Sequence, residues 1–417
     1  MHRIEPQIAL VFPGVGSQHT NMAKSFYDNS PIARETFEEA SDRLNMNMAE
    51  ICFREESADR LNEIDVSQLA LVTASIAIYR VYLKEIGLKP SICLGHSLGE
   101  YSALCASGVI EFSDALQIVK QRGRIIKETI PSCDGTMIWV INIDNKAVEE
   151  ACKAYSENGG ELYVSAYDSP TQCSVSGKND AIKNLTKLLE NKGAIVYPLK
   201  MSGPFHSPLM LRARNEMKAV LQEYRYHPSK YEVLSNYSTL PYTGDQSVID
   251  NLSNQLIYPV RWQESIAYLV NHNIKYVIEM GPKDVLKFLI RKNTKLLTPH
   301  SFNKFSQCDE LKDMLFLKND EYVKVIERCL KVATTTRNYN SNFEEYHIGA
   351  VRPYKEIEGI YDSILKENDT PSENQVIQAI NMAISVMETK KIPRPLFEKR
   401  LNQITEGKLL QRYPLES

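Results

Sequence analysis

The chain has 417 residues, 43% hydrophobic and 24% charged, with 49 Lys plus Arg against 52 Asp plus Glu, a formal net charge of −3. This balance excludes a disordered, collagen-like or disulfide-stapled chain and carries no basic excess for nucleic acid. The length suggests two or three folding units of roughly 150 residues each.

In chain order, Ile8–Phe12 reads as a compact apolar strand ending at Pro13-Gly14. Ser67–Glu85 reads as a long buried helix, with Ser67 as its cap and Leu71, Ile78 and Tyr82 on one face. Ile92–Leu94 is a second strand, followed by Gly95 and helix-forming residues from Glu100, and Phe112–Ile130 is another helix. A different rhythm follows. Strands are expected at Thr136–Ile143, Glu161–Ala166, Gln172–Ser176 and Ile195–Leu199, and helices at Lys146–Asn158 and Ala181–Lys192. Asp168-Ser169-Pro170 is expected as the loop between the middle strands. This β-α-β-β-α-β order is the ferredoxin-like pattern. Glu232–Ser235 and Lys275–Met280 look like further strands. After about Asn303 only helical spacing remains, at Lys324–Val332, Tyr354–Lys366, Glu373–Glu388 and Leu396–Ile404.

The expected fold class is therefore α/β. A large α/β-hydrolase-like subdomain (residues 1–130 and 200–303) carries an inserted ferredoxin-like subdomain (131–199), and a helical extension (304–417) follows. No apolar run approaches the ~18–20 residues a membrane helix needs. An acid and a proline stand at Glu5-Pro6, where a signal peptide has its apolar core, and the eight cysteines are scattered with no CxxC pair. The expectation is a cytoplasmic chain with neither a disulfide framework nor a metal site, and with no nucleic-acid or membrane partner.

Gly95-His96-Ser97-Leu98-Gly99, between a strand and a helix, has the G-x-S-x-G form of a nucleophile elbow. Such a turn strains and exposes the serine and aims the N-terminus of the next helix at the developing oxyanion. Chance would supply about 0.05 such matches in a chain of this composition. Serine needs a base. His206, in a rigid loop with Gly203, Pro204 and Pro208 around it, is the candidate. His96 lies beside the nucleophile and is expected to point away as a structural residue. The glycine-containing turn Phe12–Gln18 lacks both a dinucleotide fingerprint and a P-loop, which leaves an oxyanion hole shared with the residue after Ser97.

These stretches, with Arg122-Gly123, Gly203–Ser207, Gln255–Trp262 and Glu279–Pro282, run in one order over residues 1–300. Together they resemble the malonyl-CoA:acyl-carrier-protein transacylases and the acyltransferase domains of polyketide synthases. The resemblance implies Ser97 as the acylated nucleophile and His206 as general base, then acid. It implies an oxyanion hole from the backbone N–H groups of Val15 and Leu98, and backbone orientation of His206 near Gln255. Arg122 would pair with the malonyl carboxylate, and Phe205 is typical of malonyl-selective relatives. It further implies malonyl-CoA and a phosphopantetheinylated carrier protein or carrier domain as partners, with no cofactor, in polyketide, lipopeptide or fatty-acid synthesis. Similar discrete enzymes with extra C-terminal sequence serve assembly lines that lack built-in acyltransferases.

Two positions depart from the family pattern. Val15 replaces the usual glutamine, and Asp168 replaces an asparagine. By chain order Asp168 could be a triad acid, ranked below a backbone carbonyl partner for His206 and below a plain structural carboxylate. Both departures keep open an alternative function, an acyl hydrolase that clears stalled carrier proteins. A non-catalytic docking subunit fits poorly with an intact Ser97 and His206.

Overall fold

The computed structural model describes residues 8–157, 159–199, 203–367 and 369–408, which leaves Asn158, Lys200 and Ser202 of the expected elements outside the described residues. β1 (Ile8–Phe12) is buried along its whole length, as an unbroken apolar run requires when both faces of a parallel sheet are covered. It lies between β2 (Ile92–Gly95) and β8 (Tyr276–Glu279), parallel to both, with Phe12 opposite Gly95. β7 (Glu232–Leu234) and β9 (Thr298–Ser301) complete a five-stranded parallel sheet in the order β7-β2-β1-β8-β9. The C-terminal ends of β1, β2, β7 and β8 therefore share one edge, the usual place for a site in such a sheet.

The second sheet is antiparallel. β3 (Gly135–Ile141), β4 (Leu162–Ser169), β5 (Gln172–Lys178) and β6 (Ile195–Pro198) run in the order β4-β5-β3-β6. Helices Asn145–Glu157 and Asn179–Asn191 cover it, with Val148, Cys152, Leu185 and Leu189 packed on Val140 and Val175. Val260, which belongs to neither sheet, bridges the edge strand β4: it accepts from Tyr167 N–H at 2.9 Å and donates to the Ser165 carbonyl at 3.0 Å. The chain is thus α/β, with one parallel and one antiparallel sheet.

Four expectations are corrected. The long helix spans Ile64–Glu85, so Ser67 lies inside its first turns and donates its hydroxyl to the Ile64 carbonyl instead of capping. That helix also has the length and apolar character to cross a membrane, against the expectation of no such run, and it is buried in the core. Asp168 and Ser169 belong to β4, and the turn falls at Pro170-Thr171. β9, four helices between Lys24 and Leu61, and the helices Leu211–Leu221, Asp245–Gln255, Trp262–Asn271 and Val285–Asn293 have no counterpart in the predicted elements. β9 is an edge strand carrying Pro299, which hides it from an apolar-run criterion.

The chain divides into two compact units between Gln307 and Cys308. The second is helical. Its helices Tyr322–Thr335 and Glu373–Thr389 pack through Val325, Ile326 and Cys329 and through Val376, Ile380 and Ala383, all buried. A Ser372/Gln375 capping box starts the latter. Lys390 closes the former, donating to the Ala333 and Thr336 carbonyls at 2.5 and 2.8 Å.

Candidate active site

The turn after β2 is tight because two glycines meet in it. A Cβ on Gly95 would lie 1.9 Å from Gly99 C, and one on Gly99 would lie 1.9 Å from the Phe12 carbonyl oxygen. With no side chains there, helix Gly99–Ala106 starts directly over the end of β1, and Ser97 is left in the left-handed region at φ +51°. His206 sits at φ +55°. Left-handed conformations of non-glycine residues cost of order 1–3 kcal/mol each and persist only where the surroundings impose them.

The surroundings here do so. Ser97 Oγ lies 2.8 Å from His206 Nε2, and His206 Nδ1 lies 2.7 Å from the Gln255 carbonyl oxygen. A carbonyl only accepts, so Nδ1 carries the proton and Nε2 presents a lone pair to the serine hydroxyl. The histidine loop is held by Ser207 Oγ, which donates to the Pro204 carbonyl, and by Ser176 Oγ of β5, which donates to the Phe205 carbonyl, both at 2.6 Å. Burial, reinforced by the positive charge of Arg122, lowers the His206 pKa to about 3, against the raising effect of the Gln255 bond. Its imidazole is therefore neutral in the resting protein.

Arg122 is only 4% exposed, although Lys120, Arg124 and Lys127 flank it in sequence. Gly123 explains how. A Cβ there would lie 2.8 Å from Asp65 Cα, so the glycine lets helix Phe112–Thr129 close on helix Ile64–Glu85. Gln68 on the facing helix donates to the Ile64 carbonyl at 2.8 Å and accepts from Arg122 Nη1. No salt bridge engages Arg122 among the described residues, and its Nε has no hydrogen-bond partner. The guanidinium lies over the Tyr101 ring at 5.5 Å. It is a buried cation without a counter-ion, on the wall of a cavity of about 700 Å³ that also contains Ser97, His206, Val15 and Phe205.

Val15 is 41% exposed at the cavity rim, in a turn fixed by the Gly16 N–H bond to Gln18 Oε1 at 2.7 Å. Leu98 is buried at the start of the helix after the elbow. Asp168 is not placed for a triad. Its Oδ1 lies 2.8 Å from His96 Nε2, so it pairs with the other histidine, and its backbone carbonyl accepts from Asn293 at 2.7 Å. His96 is hydrogen-bonded as expected of a structural residue, yet it lines the cavity instead of turning away.

Three buried side chains escaped sequence reasoning, one of them that of Gln255, of which only the backbone was expected to act. Asn236, just beyond β7, accepts from Ser97 N–H through Oδ1 at 2.7 Å and donates to the Gly95 carbonyl at 2.6 Å. The Gln255 side chain donates to the Ser97 carbonyl at 3.0 Å. Glu100, fully buried, joins both. The signal for Asn236 was its place at the shared strand edge, and for Glu100 its place one residue into the elbow helix.

The profile described as "Acyl transferase domain" matches residues 9–312. A malonyl CoA-acyl carrier protein transacylase of Bacillus subtilis is 31% identical over 390 residues, covering 93% of this chain and 97% of the relative. That alignment is too long to end at Gln307, so the likeness extends into the helical unit. The Escherichia coli K12 transacylase is 34% identical over 298 residues, 71% of this chain and 96% of the relative. Among solved structures, a malonyl-transacylase in complex with its type II polyketide synthase acyl-carrier protein superposes with a TM-score of 0.70 at 31% identity, covering 72% of this chain and 97% of that one. The chain belongs to the acyl transferase domain family and, within it, to the malonyl-CoA:acyl-carrier-protein transacylases.

Proposed function

We propose that this chain moves a malonyl group from malonyl-CoA to the phosphopantetheine thiol of an acyl carrier protein, in two half-reactions through a Ser97 ester. The observation that carries the reading is the Ser97–His206–Gln255 relay, at 2.8 and 2.7 Å, beside a buried arginine with no counter-ion. In the first half-reaction Ser97 Oγ bonds to the thioester carbon while its proton passes to His206 Nε2. The tetrahedral oxyanion lies against the N–H groups of Leu98 and Val15. The C–S bond then breaks, and CoA sulfur leaves with the proton from His206. The carrier thiol repeats these steps in reverse order of roles, giving its proton to His206 and returning Ser97 as a hydroxyl.

Arg122 takes the free malonyl carboxylate. A planar, permanently charged donor suits that group, and a dry wall makes the pairing selective. Phe205 supplies an apolar wall beside it. Hydrolysis, the alternative, is not favoured, because the relatives are transacylases and Arg122 offers a carboxylate site that a scavenger of stalled acyl groups does not need.

The finer architecture belongs to the same reading. The strand order β4-β5-β3-β6, with its two covering helices, supports a ferredoxin-like subdomain at 131–199 inserted in a large subdomain formed by 1–130 and 200–303, and 304–417 is a helical extension. Eight unbridged cysteines, seven of them buried, suit a cytoplasmic setting.

The test is intact-mass spectrometry with malonyl-CoA, followed by addition of a phosphopantetheinylated carrier protein. Wild type gains a malonyl group, then loses it to the carrier, and Ser97→Ala gains none. An adduct that persists in Ser97→Ala moves the nucleophile elsewhere. Free malonate released in preference to a loaded carrier returns the hydrolase.

A further inference from the structure

Glu100 has no part in the half-reactions above, yet it is a fully buried ionisable side chain immediately beneath them. Among the described residues no salt bridge engages it. Its carboxylate meets donors instead. Oε1 accepts from the Asn236 backbone N–H at 3.1 Å and from the Tyr242 hydroxyl, and Oε2 accepts from Gln255 Nε2 at 2.5 Å. Removing a carboxylate from water is costly, and an apolar side chain of the same volume would serve packing alone more cheaply.

Each of its two main partners leads back to the reacting pair. Asn236 fixes the Ser97 N–H at 2.7 Å, and Gln255 fixes the Ser97 carbonyl at 3.0 Å with its side chain and His206 Nδ1 at 2.7 Å with its backbone. Ser97 and His206 are the two non-glycine residues held at positive φ among those lining the cavity, so each needs external restraint to stay there. We propose that Glu100 is a positioning residue that holds Asn236 and Gln255 together and thereby sets the Ser97 Oγ to His206 Nε2 geometry. This rests on Ser97 being the nucleophile.

Burial raises the Glu100 carboxyl to about 7, but the brace does not depend on its charge. A proton on Oε1 can be donated to the Tyr242 oxygen while the bonds from Asn236 and Gln255 remain. An amide has no such freedom. In Glu100→Gln, if the amide oxygen faces Gln255, the amide nitrogen faces the Asn236 N–H, donor against donor. Reversing the amide sets it against Gln255 Nε2. Gln255 has no escape by flipping, because its oxygen would then face the Ser97 carbonyl. The near-isosteric variant therefore loses one brace in either orientation.

The experiment is single-turnover acylation of the full chain by malonyl-CoA, read by intact mass, with KM and melting temperature measured alongside. Glu100→Gln is expected to slow acylation at saturating malonyl-CoA by ~10²-fold, the usual scale for a misplacement of about 1 Å, with KM within about twofold. Tyr242→Phe, which leaves both braces, slows it less. If Glu100→Gln does not fold, Gln255→Met carries the same expectation, because it keeps the carbonyl facing His206 and loses the side-chain bridge from Ser97 to Glu100. A folded variant that acylates within about threefold of wild type overturns the proposal, and so does a KM rise at unchanged rate. Ser97→Ala run in parallel separates the two failures, since an adduct there overturns the nucleophile instead of the brace.

Discussion

The two walls of the cavity are built on opposite principles. On the parallel-sheet side Ser97, Asn236, Gln255 and Glu100 are locked by backbone and side-chain bonds, and all but Ser97 are buried. On the antiparallel side the wall is more open, and Met137, Trp139 and Leu199 line it beside the polar Asp168, Gln172 and Ser174. Trp139 leans on Tyr197 with ring centroids 5.8 Å apart, and Tyr197 and Leu199 are both exposed. One wall fixes atoms to fractions of an ångström, as bond-making requires. The other offers surface that an acyl chain or a pantetheine arm can lie against, where small shifts cost little. Damage to the first should appear in rates and damage to the second in binding.

The hardest test of that division is His206→Ala. One imidazole takes and returns a proton in both half-reactions, so acylation and carrier loading should each fall by ~10²–10⁴-fold. Stopped or quenched single turnovers with malonyl-CoA, then with carrier protein, measure the two steps separately. If His96→Ala proves equally damaging while folded, the Asp168–His96 pair is the working base and the roles of the walls are misassigned.

Arg122→Ala asks where selectivity resides. Malonyl carries a carboxylate and acetyl does not. Leaving a buried charge without its partner costs about 2–5 kcal/mol, so kcat/KM for malonyl-CoA should fall by ~10²-fold or more relative to acetyl-CoA. The ratio of kcat/KM for the two thioesters, in wild type and variant, is the measurement. Equal losses for both would make Arg122 a helix-packing residue held by Gln68.

How much of this the sequence disclosed follows from what each residue depends on. The elbow is legible because Gly95, Ser97 and Gly99 act through their immediate neighbours. β1 is legible because a doubly covered strand is apolar throughout. Arg122 is legible only by resemblance, since its burial depends on the approach that Gly123 allows to Asp65, far away in sequence. Asn236 and Glu100 are hidden for the same reason. A lone asparagine after a three-residue strand and an acid in a first helical turn look like surface residues, and their value exists only where β2, β7 and the Gln255 helix converge. Asp168 misleads by chain order, which says nothing about which histidine it faces.

A smaller effect is expected with pH. The His206 pKa is lowered, so the native state refuses a proton that the unfolded state accepts below about 6.5. His206 therefore removes stability as the pH falls from 6.5 toward 3, while its neutral, catalytically competent form survives through that range. The single-turnover acylation rate should stay flat from pH 7.5 down through 6, with no limb at the ordinary histidine position. A limb at about 6.5 would show that solvent reaches His206 and that the locked wall is wetter than its packing. Glu279 opposes this trend in stability. Burial raises its carboxyl to about 8, so its contribution is present at low pH and lost as pH rises from 4.5 through 8. Rate is thus the cleaner readout of His206 than melting temperature.

The gentlest perturbation addresses the open wall. Trp139→Ala removes an indole that is already partly exposed, so a bound substrate forfeits apolar burial worth of order 1 kcal/mol, or about fivefold in KM for malonyl-CoA. No bond from the Trp139 side chain reaches Ser97, His206 or the groups that hold them, and the acylation rate at saturation should remain within about twofold. The strand itself should persist, because β3 is paired on both sides, with β5 and with β6. A fall in the saturated rate matching the rise in KM would mean that the antiparallel wall presses the acyl group onto Ser97. The contrast between a wall that reacts and a wall that binds would then fail at its weaker side.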